Sequence, residues 1–361
     1  MSKSASAARK ARRILLFRLG SLGDTVVALP ALHLLARLSP QAERRMLTNF
    51  SISDKAAPMA ALLDGSGLVH GYFCYPPRGL RGSELLQLVR QIRAWKPDLL
   101  IYLHEPRGTA VALRDAAFFR ACGIRHMIGV PYAQALKTPH YDPQRGLYEH
   151  KTDLLARRLA ALGDCAAAQP GSWSLVLSPA ETARAAAVLA PLAQCRGILA
   201  ASIGAKADVK DWGDGNWSGL LGELGRQLPG WGLVLLGAPV EHARSEALLP
   251  HWPGPRLNLC GAVSLRESAA VLQRADVYAG HDSGPMHLAA AVGTPCVAIF
   301  SARNPPGVWF PYGGSHRVLY KQTECFGCEL DVCTQYGKRC ILSIQVREAS
   351  EAVLGLARRR T

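Results

Sequence analysis

The sequence predicts an α/β fold built from two domains, each with a parallel sheet covered by helices. Three observations carry this. Short apolar runs alternate with amphipathic helical patterns, the signature of successive βα units. The alternation occurs as two series, separated by a stretch at 163–174 rich in Ala, Gly, Pro and Ser. The chain has 361 residues, enough for two cores of ordinary size, and its 49% hydrophobic content suits sheets buried on both faces.

In the first series the predicted strands are 14–17, 45–48, 69–74, 99–103 and 126–129. Between them the pattern gives helices at 25–38, 83–95 and 109–121, and a helix at 150–162 closes the domain. The second series has strands at 197–202, 232–236, 256–259, 276–279 and 296–300. Ser264 with Glu267 forms a capping box for a helix at 265–275, and an amphipathic helix at 344–356 ends the chain. There is no repeat of solenoid period.

No apolar run reaches the roughly 18 to 20 residues that span a bilayer. Behind Lys3, Arg9, Lys10, Arg12 and Arg13 the apolar run is only 14–17 before Arg18 interrupts it, too short for a secretory signal, so a cytosolic, non-transmembrane protein is expected. The formal net charge is +15, from 42 basic and 27 acidic residues. Nucleic acid, an anionic membrane or a polyanionic substrate are possible partners, as is no special partner at all. Nucleic acid is disfavoured because the basic residues are dispersed and not interleaved with aromatics. The ends, 3–13 and 358–360, have the charge to hold a soluble protein near anionic lipid.

Chemistry concentrates at strand ends. The stretch from Ala279 to Phe300 reads as strand, polar loop, helix and next strand, with Ser283 as N-cap and Pro285 in the first turn. Such a helix start at Ser283, Gly284 and Met286 favours a phosphate, and Asp282 and His287 beside it can bond sugar hydroxyls. An ordinary βαβ turn is the alternative. After the first strand, Leu19-Gly20-Ser21-Leu22-Gly23-Asp24 is a Gly-rich loop that matches neither common phosphate fingerprint. Gly20 and Gly23 permit a tight turn and leave room beside Asp24, either a base for a substrate hydroxyl or a helix N-cap. Lys206 and Lys210 follow the strand at 197–202, where they can neutralise a diphosphate or simply be solvated. Glu241, after another strand, can accept from a ribose or an amine, or be an exposed first-turn carboxylate. No Asp-x-Asp pair occurs, which counts against metal-dependent glycosyl transfer.

Ten cysteines are present. Cys74, Cys122, Cys165, Cys195, Cys260 and Cys296 are scattered and read as small buried hydrophobes. Cys325, Cys328, Cys333 and Cys340 share one segment, for which a structural zinc, free reduced thiols, or iron–sulfur ligation are the open readings.

Together, Arg18-Leu-Gly-Ser-Leu-Gly-Asp24 with Leu29-Pro-Ala-Leu32, Lys210-Asp-Trp212 before Trp217, Leu236-Gly-Ala-Pro239 with Glu241, and Asp282-Ser-Gly-Pro-Met-His287 with Gly293-Thr-Pro295 carry a resemblance. The chain resembles the ADP-heptose:lipopolysaccharide heptosyltransferase family, inverting glycosyltransferases of the GT-B fold. It departs from the family where a hydroxyl residue often precedes Lys-x-Trp: here stand Ala205, Lys206 and Ala207, with Ser202 further back. The resemblance implies two Rossmann-like doubly wound domains with a cleft between them: 1–165 for the acceptor, 172–342 for the nucleotide sugar, and a helix at 343–361 crossing back to the first domain. It implies ADP-L-glycero-D-manno-heptose as donor and a phosphorylated lipid A core, at the inner face of the inner membrane, as acceptor. Asp24 would be the general base, with Arg18, Gly20 and Gly23 on the acceptor side. Lys206, Lys210, Glu241, Asp282, Ser283, Gly284, Met286 and His287 would serve the donor, with no cofactor required for catalysis. Another nucleotide-sugar transferase or epimerase, or a non-catalytic nucleotide-sugar or membrane-surface binding protein, remains the alternative.

Overall fold

Five short apolar segments build the first sheet. In the computed structural model, which describes residues 2–49, 58–75, 82–105 and 108–359, they are β1 (Arg13–Phe17), β2 (Glu43–Asn49), β3 (Gly71–Tyr75), β4 (Leu99–Tyr102) and β5 (His126–Ile128). All pair in parallel, in the order β3-β2-β1-β4-β5. Ile14, Leu15, Leu16 and Phe17 are all buried, as befits a central parallel strand covered on both faces. Phe17, Phe73, Trp95, Tyr102 and Phe119 fill one of these faces. The strand order reverses between β1 and β4, and a doubly wound sheet opens its ligand crevice at the carboxyl ends of such strands.

Two short strands, β6 (Tyr141–Asp142) and β7 (Leu147–Tyr148), precede the second sheet. That sheet comprises β8 (Gly197–Ser202), β9 (Trp231–Leu235), β10 (Arg256–Asn258), β11 (Val277–His281), β12 (Cys296–Phe300) and β13 (Arg317–Tyr320). It is parallel throughout, in the order β10-β9-β8-β11-β12-β13, and reverses between β8 and β11. The chain divides into two units, one formed by residues up to Asp142 with Glu149–Val176, the other by Pro143–Tyr148 and the residues from Leu177 on.

Several sequence expectations change. The helix expected at 25–38 is two helices, Leu22–Val26 and Leu29–Leu38, because Pro30 has no N–H to continue the first and instead sits in the opening turn of the second. The basic N-terminal stretch is not a loose tail. Lys3–Lys10 is a helix capped by Ser2, with Ala5 and Ala8 buried and the Ala8 carbonyl accepting from Ser39 Oγ. Arg360 lies outside the described residues.

The stretch expected as a linker, 163–174, belongs to the first unit: Trp173 is buried, its Nε1–H donates to the Ala167 carbonyl, and the unit ends at Val176. The C-terminal helix, Val346–Ala357, is counted with the second unit. Its Ala349, Val353, Leu354, Leu356 and Ala357 join Trp212, Trp217 and Trp252 in the core of the second, and Trp212 Nε1–H donates to the Ile344 carbonyl just ahead of it. Strand β13 was not anticipated; its residues are only partly buried, so it lacks the apolar run that marks an inner strand.

Candidate functional site

In the first unit, the residues after β1 and β4 converge at the point where the strand order reverses. Gly20 adopts φ +150°, and a Cβ there would lie 2.4 Å from Asp24 Cγ, so glycine makes the space that the carboxylate occupies. Asp24 Oδ2 accepts from the Ser21 N–H (2.8 Å) and Ser21 Oγ (3.0 Å). Asp24 is therefore the third-position carboxylate of a capping box around Ser21, and not the N-cap residue itself. Arg18, 1% exposed, donates from Nη2 to Asp24 Oδ1 (3.3 Å) and from Nε to the Asp24 carbonyl (3.2 Å). Asn49, at the end of β2, clamps Gly20 by accepting from its N–H and donating to its carbonyl. Gly23 is buried within the helix Leu22–Val26.

Beyond β4 come His104 and Glu105, neither singled out from sequence. Burial, reinforced by the nearby Arg18 charge, pushes the His104 imidazole down to about 4, so it is neutral at pH 7. Burial alone would raise the Glu105 carboxyl, but Lys151, its ion-pair partner, and Arg18 outweigh that and hold it below the usual range. Arg158 Nη1 donates to the His104 carbonyl at 3.0 Å. The signal for these residues was their place just past a predicted central strand.

In the second unit the ends of β8 and β11 meet. Lys210 Nζ lies 2.6 Å from Asp282 Oδ2 and donates to the Asp282 carbonyl at 3.2 Å. His287 Nε2 stands 3.8 Å from Asp282 Oδ1, and the edge of its ring meets Trp309. Burial alone would raise the Asp282 carboxyl; Lys210, then His287, reverse this and hold it at about 2. The helix Gly284–Ala291 begins beside it with Pro285 in the first turn. The Ser283 side chain makes no capping hydrogen bond and leaves the first-turn N–H groups, near the buried Met286, without a side-chain cap. Of the residues the sequence reading assigned to the donor, Lys210 and His287 both approach Asp282, and Ser283, Gly284 and Met286 follow it into the helix.

Glu241 Oε2 accepts from the Ala238 N–H at 2.7 Å. A Cβ on Gly204 would fall 1.5 Å from Glu241 Oε1, and one on Gly237 2.4 Å from Oε2, so this carboxylate lies between the ends of β8 and β9. Lys206 is exposed. Sequence reading missed Arg244, which grips Asp211 with two hydrogen bonds (2.8 and 2.9 Å) and Asp214 with a third (2.6 Å), and His281, which binds Gly204, Trp212 and Trp217.

Of the readings left open for Cys325, Cys328, Cys333 and Cys340, a structural zinc finds no support in the side-chain arrangement. Among the described residues no group of three or more His, Cys, Asp or Glu side chains is arranged to hold a metal ion. Cys340 is buried, whereas the other three thiols are partly exposed. The cysteine-bearing segment instead braces the Lys210 turn: Val209 N–H donates to the Asp331 carbonyl (3.1 Å) and Lys338 pairs with Asp208 (3.2 Å). It also docks on the loop after β12, through Gly327 N–H to the Ala302 carbonyl (2.8 Å) and Glu329 N–H to the Arg303 carbonyl (2.9 Å).

This arrangement has relatives. A 136-residue stretch is 29% identical to lipopolysaccharide heptosyltransferase 1 of Salmonella typhimurium, covering 36% of this chain and 40% of that protein's length. In fold the chain is similar to a glycosyltransferase family 9 protein of Veillonella parvula (TM-score 0.72, 19% identity, 96% of this chain and 98% of that one). It is also similar to the ADP-heptose LPS heptosyltransferase II of E. coli (TM-score 0.63, 18% identity, 96% and 99%). The E. coli heptosyltransferase WaaC, solved with ADP-2-deoxy-2-fluoro heptose, aligns with a TM-score of 0.62 at 17% identity over 95% and 99%. These likenesses show two Rossmann-like units of the GT-B type. The sequence model of glycosyltransferase family 9 (heptosyltransferase) matches residues 86–337, well over half of the chain, which thus belongs to that family.

Proposed function

We propose that this protein transfers a heptose from ADP-L-glycero-D-manno-heptose to the phosphorylated inner core of lipopolysaccharide, inverting the anomeric centre. The observation that carries this reading is the Asp24 carboxylate, seated in the space left by Gly20 at the mouth of the first sheet. A carboxylate offers about four lone-pair sites. Ser21 uses two on Oδ2 and Arg18 one on Oδ1, so Oδ1 has one left for an acceptor hydroxyl. As that oxygen attacks the anomeric carbon, its proton passes to Asp24 and the bond from the anomeric carbon to the diphosphate oxygen breaks on the opposite face.

The departing ADP meets the second unit. An ammonium has three N–H donors; Lys210 directs two at Asp282 and keeps one for a diphosphate oxygen. The helix start at Ser283, Gly284 and Met286 adds its partial positive charge. Asp282 and His287 orient sugar hydroxyls, and Glu241 Oε1 accepts from the ribose or the adenine amine. Lys206 contributes a more distant positive charge. With these groups the leaving diphosphate is stabilised without a cofactor.

No helix among the described residues is long and apolar enough to cross a membrane. We place the protein in the cytoplasm, against the inner membrane, with exposed Arg9, Lys10 and Arg12 facing anionic lipid. Mass spectrometry after incubation with ADP-heptose and a panel of truncated core acceptors tests the reading. One heptose added, with inverted configuration by NMR, is the expected product; acceptors left unmodified across the whole panel would overturn it.

A further inference from the structure

The imidazole that ends β11 has no part in the chemistry above, yet it is 0% exposed and makes three hydrogen bonds to residues far away in sequence. Its Nε2 accepts from the Trp212 N–H (3.1 Å) and from Trp217 Nε1–H (3.3 Å). Both partners are donors only, so Nε2 carries no proton. Its Nδ1 faces the Gly204 carbonyl at 3.2 Å, an acceptor only, so Nδ1 carries the proton. The partners thus fix one neutral tautomer, in keeping with burial that pushes this group down to about 4.

We infer that His281 is a positioning residue for the donor site: its neutral ring pins the segment 204–212 to β11 and so sets where Lys210 meets Asp282. Asp282 follows the ring's own residue in the chain, and Trp212 is two residues past Lys210. The segment between Gly204 and Trp212 holds one short turn, Asp208–Lys210, and has no strand of its own. Its hold comes from outside: His281 at Gly204 and Trp212, Arg244 at Asp211, and Asp331 with Lys338 at Val209 and Asp208. Of these, only the ring joins both ends of the segment to β11, whose next residue in the chain is Asp282. A histidine that merely filled the core would not need every ring nitrogen engaged by that segment and the helix behind it.

The inference rests on the donor reading of the second unit, so its test has one arm that needs no nucleotide. His281→Phe keeps a buried ring and removes all three bonds. His281→Gln places a carbonyl oxygen where Nε2 accepts from Trp212, whereas His281→Asn reaches only the Gly204 carbonyl. Amide exchange of the Trp212 N–H in ligand-free protein should quicken in the Phe and Asn variants and stay near parental in Gln. Calorimetry with ADP and steady-state kinetics should show the ADP Kd and donor KM raised on the order of tenfold in Phe, largely restored in Gln, with acceptor KM unchanged. A Phe variant that melts lower but keeps parental Trp212 exchange and ADP affinity would reduce His281 to core packing, as would Gln and Asn variants that behave alike. Should the Phe variant not fold, the Gln and Asn pair decides. If the parent does not bind ADP, the donor reading fails while the exchange arm still judges the pin.

Discussion

The two units place their polar groups at the same point of the same kind of sheet, but they assemble them differently. At the first reversal point, Arg18, Gly20, Ser21 and Asp24 lie within one short stretch of chain, from the end of β1 into the next helix, and Asp24 stays 28% exposed. At the second, Lys210 reaches Asp282, His281 reaches Gly204 and Trp212, and Arg244 reaches Asp211, all across long gaps of sequence, and the Asp282 side chain is only 6% exposed. The difference follows from the task proposed for each. A base must remain open to an incoming hydroxyl and needs only local hydrogen bonds to aim it. A carboxylate that orients a donor and counters a lysine can be buried, provided its partner is fixed, and fixing that partner takes contacts from several segments.

The comparison is tested most strongly at Asp24. Asp24→Asn keeps an oxygen for Ser21 and removes the ability to take a proton, together with the single long contact (3.3 Å) from Arg18 to Oδ1. Transfer should slow at least about a hundredfold, a loss of roughly 2.7 kcal/mol in transition-state stabilisation, with the melting temperature nearly parental and ADP binding unchanged. Steady-state rates, thermal melting and ADP calorimetry on the same preparation check all three. Full activity in this variant would leave the first site without a chemical role.

The next effect is one of sign. Asp282 titrates at about 2 in the folded chain and near 3.8 unfolded, so it contributes stability at neutral pH that is lost as pH falls from 3.8 toward 2, on the order of 2 kcal/mol in all. Lys210→Met removes the larger of the two groups that oppose burial and leaves His287, so the carboxyl should move up from about 2. The Asp282 contribution then shrinks, and the stability it gives at neutral pH is lost over a narrower range as pH falls below 3.8. Denaturant unfolding of parent and variant across this range measures the slope. Equal slopes would show that the Lys210 to Asp282 contact does not govern the second site. The variant should also bind ADP more weakly, whereas Asp24→Asn should not.

Gly20→Ala probes the first site without altering charge. A Cβ would stand 2.4 Å from Asp24 Cγ at a backbone angle that side chains avoid, so the carboxylate must shift. Strain of this kind costs of order 1 to 3 kcal/mol. Activity should fall along with stability, read by initial rates and thermal melting. Parental activity would mean that the room beside Asp24 is not needed.

The same contrast explains what the sequence revealed. The loop from Arg18 to Asp24 was legible because glycine, serine and a carboxylate at short spacing act on one another directly. Ser264 with Glu267 and the Pro285 helix start were legible for the same reason, and β8 and β12 were placed at their full extent. His281 and Arg244 were not, because a histidine or arginine acquires its role from partners brought close only by the fold. The break before Leu29–Leu38 was missed although Pro30 marks it, since the apolar period runs through it unchanged. The cysteines mark the opposite limit, where spacing in sequence leaves the use of a segment open. Spacing put four thiols in one segment; Cys340 is buried, and the segment braces Val209 through the Asp331 carbonyl and Asp208 through the Lys338 side chain.

The smallest predicted effect separates the two lysines. Lys206 is exposed, between Ala205 and Ala207, while Lys210 is held against a buried carboxylate. An exposed charge close to a diphosphate is worth about 1 kcal/mol in water and less once salt screens it. Lys206→Ala should therefore leave stability within about 0.5 kcal/mol of the parent and weaken ADP binding by no more than about fivefold at low salt. That loss should vanish at high salt, where the deficit of Lys210→Met persists, because a partly buried ammonium is little screened. Calorimetry with ADP at two ionic strengths measures both. Equal, equally salt-sensitive losses would mean that the second site gathers its positive charge by proximity alone, and that burial does not distinguish it from the open site in the first unit.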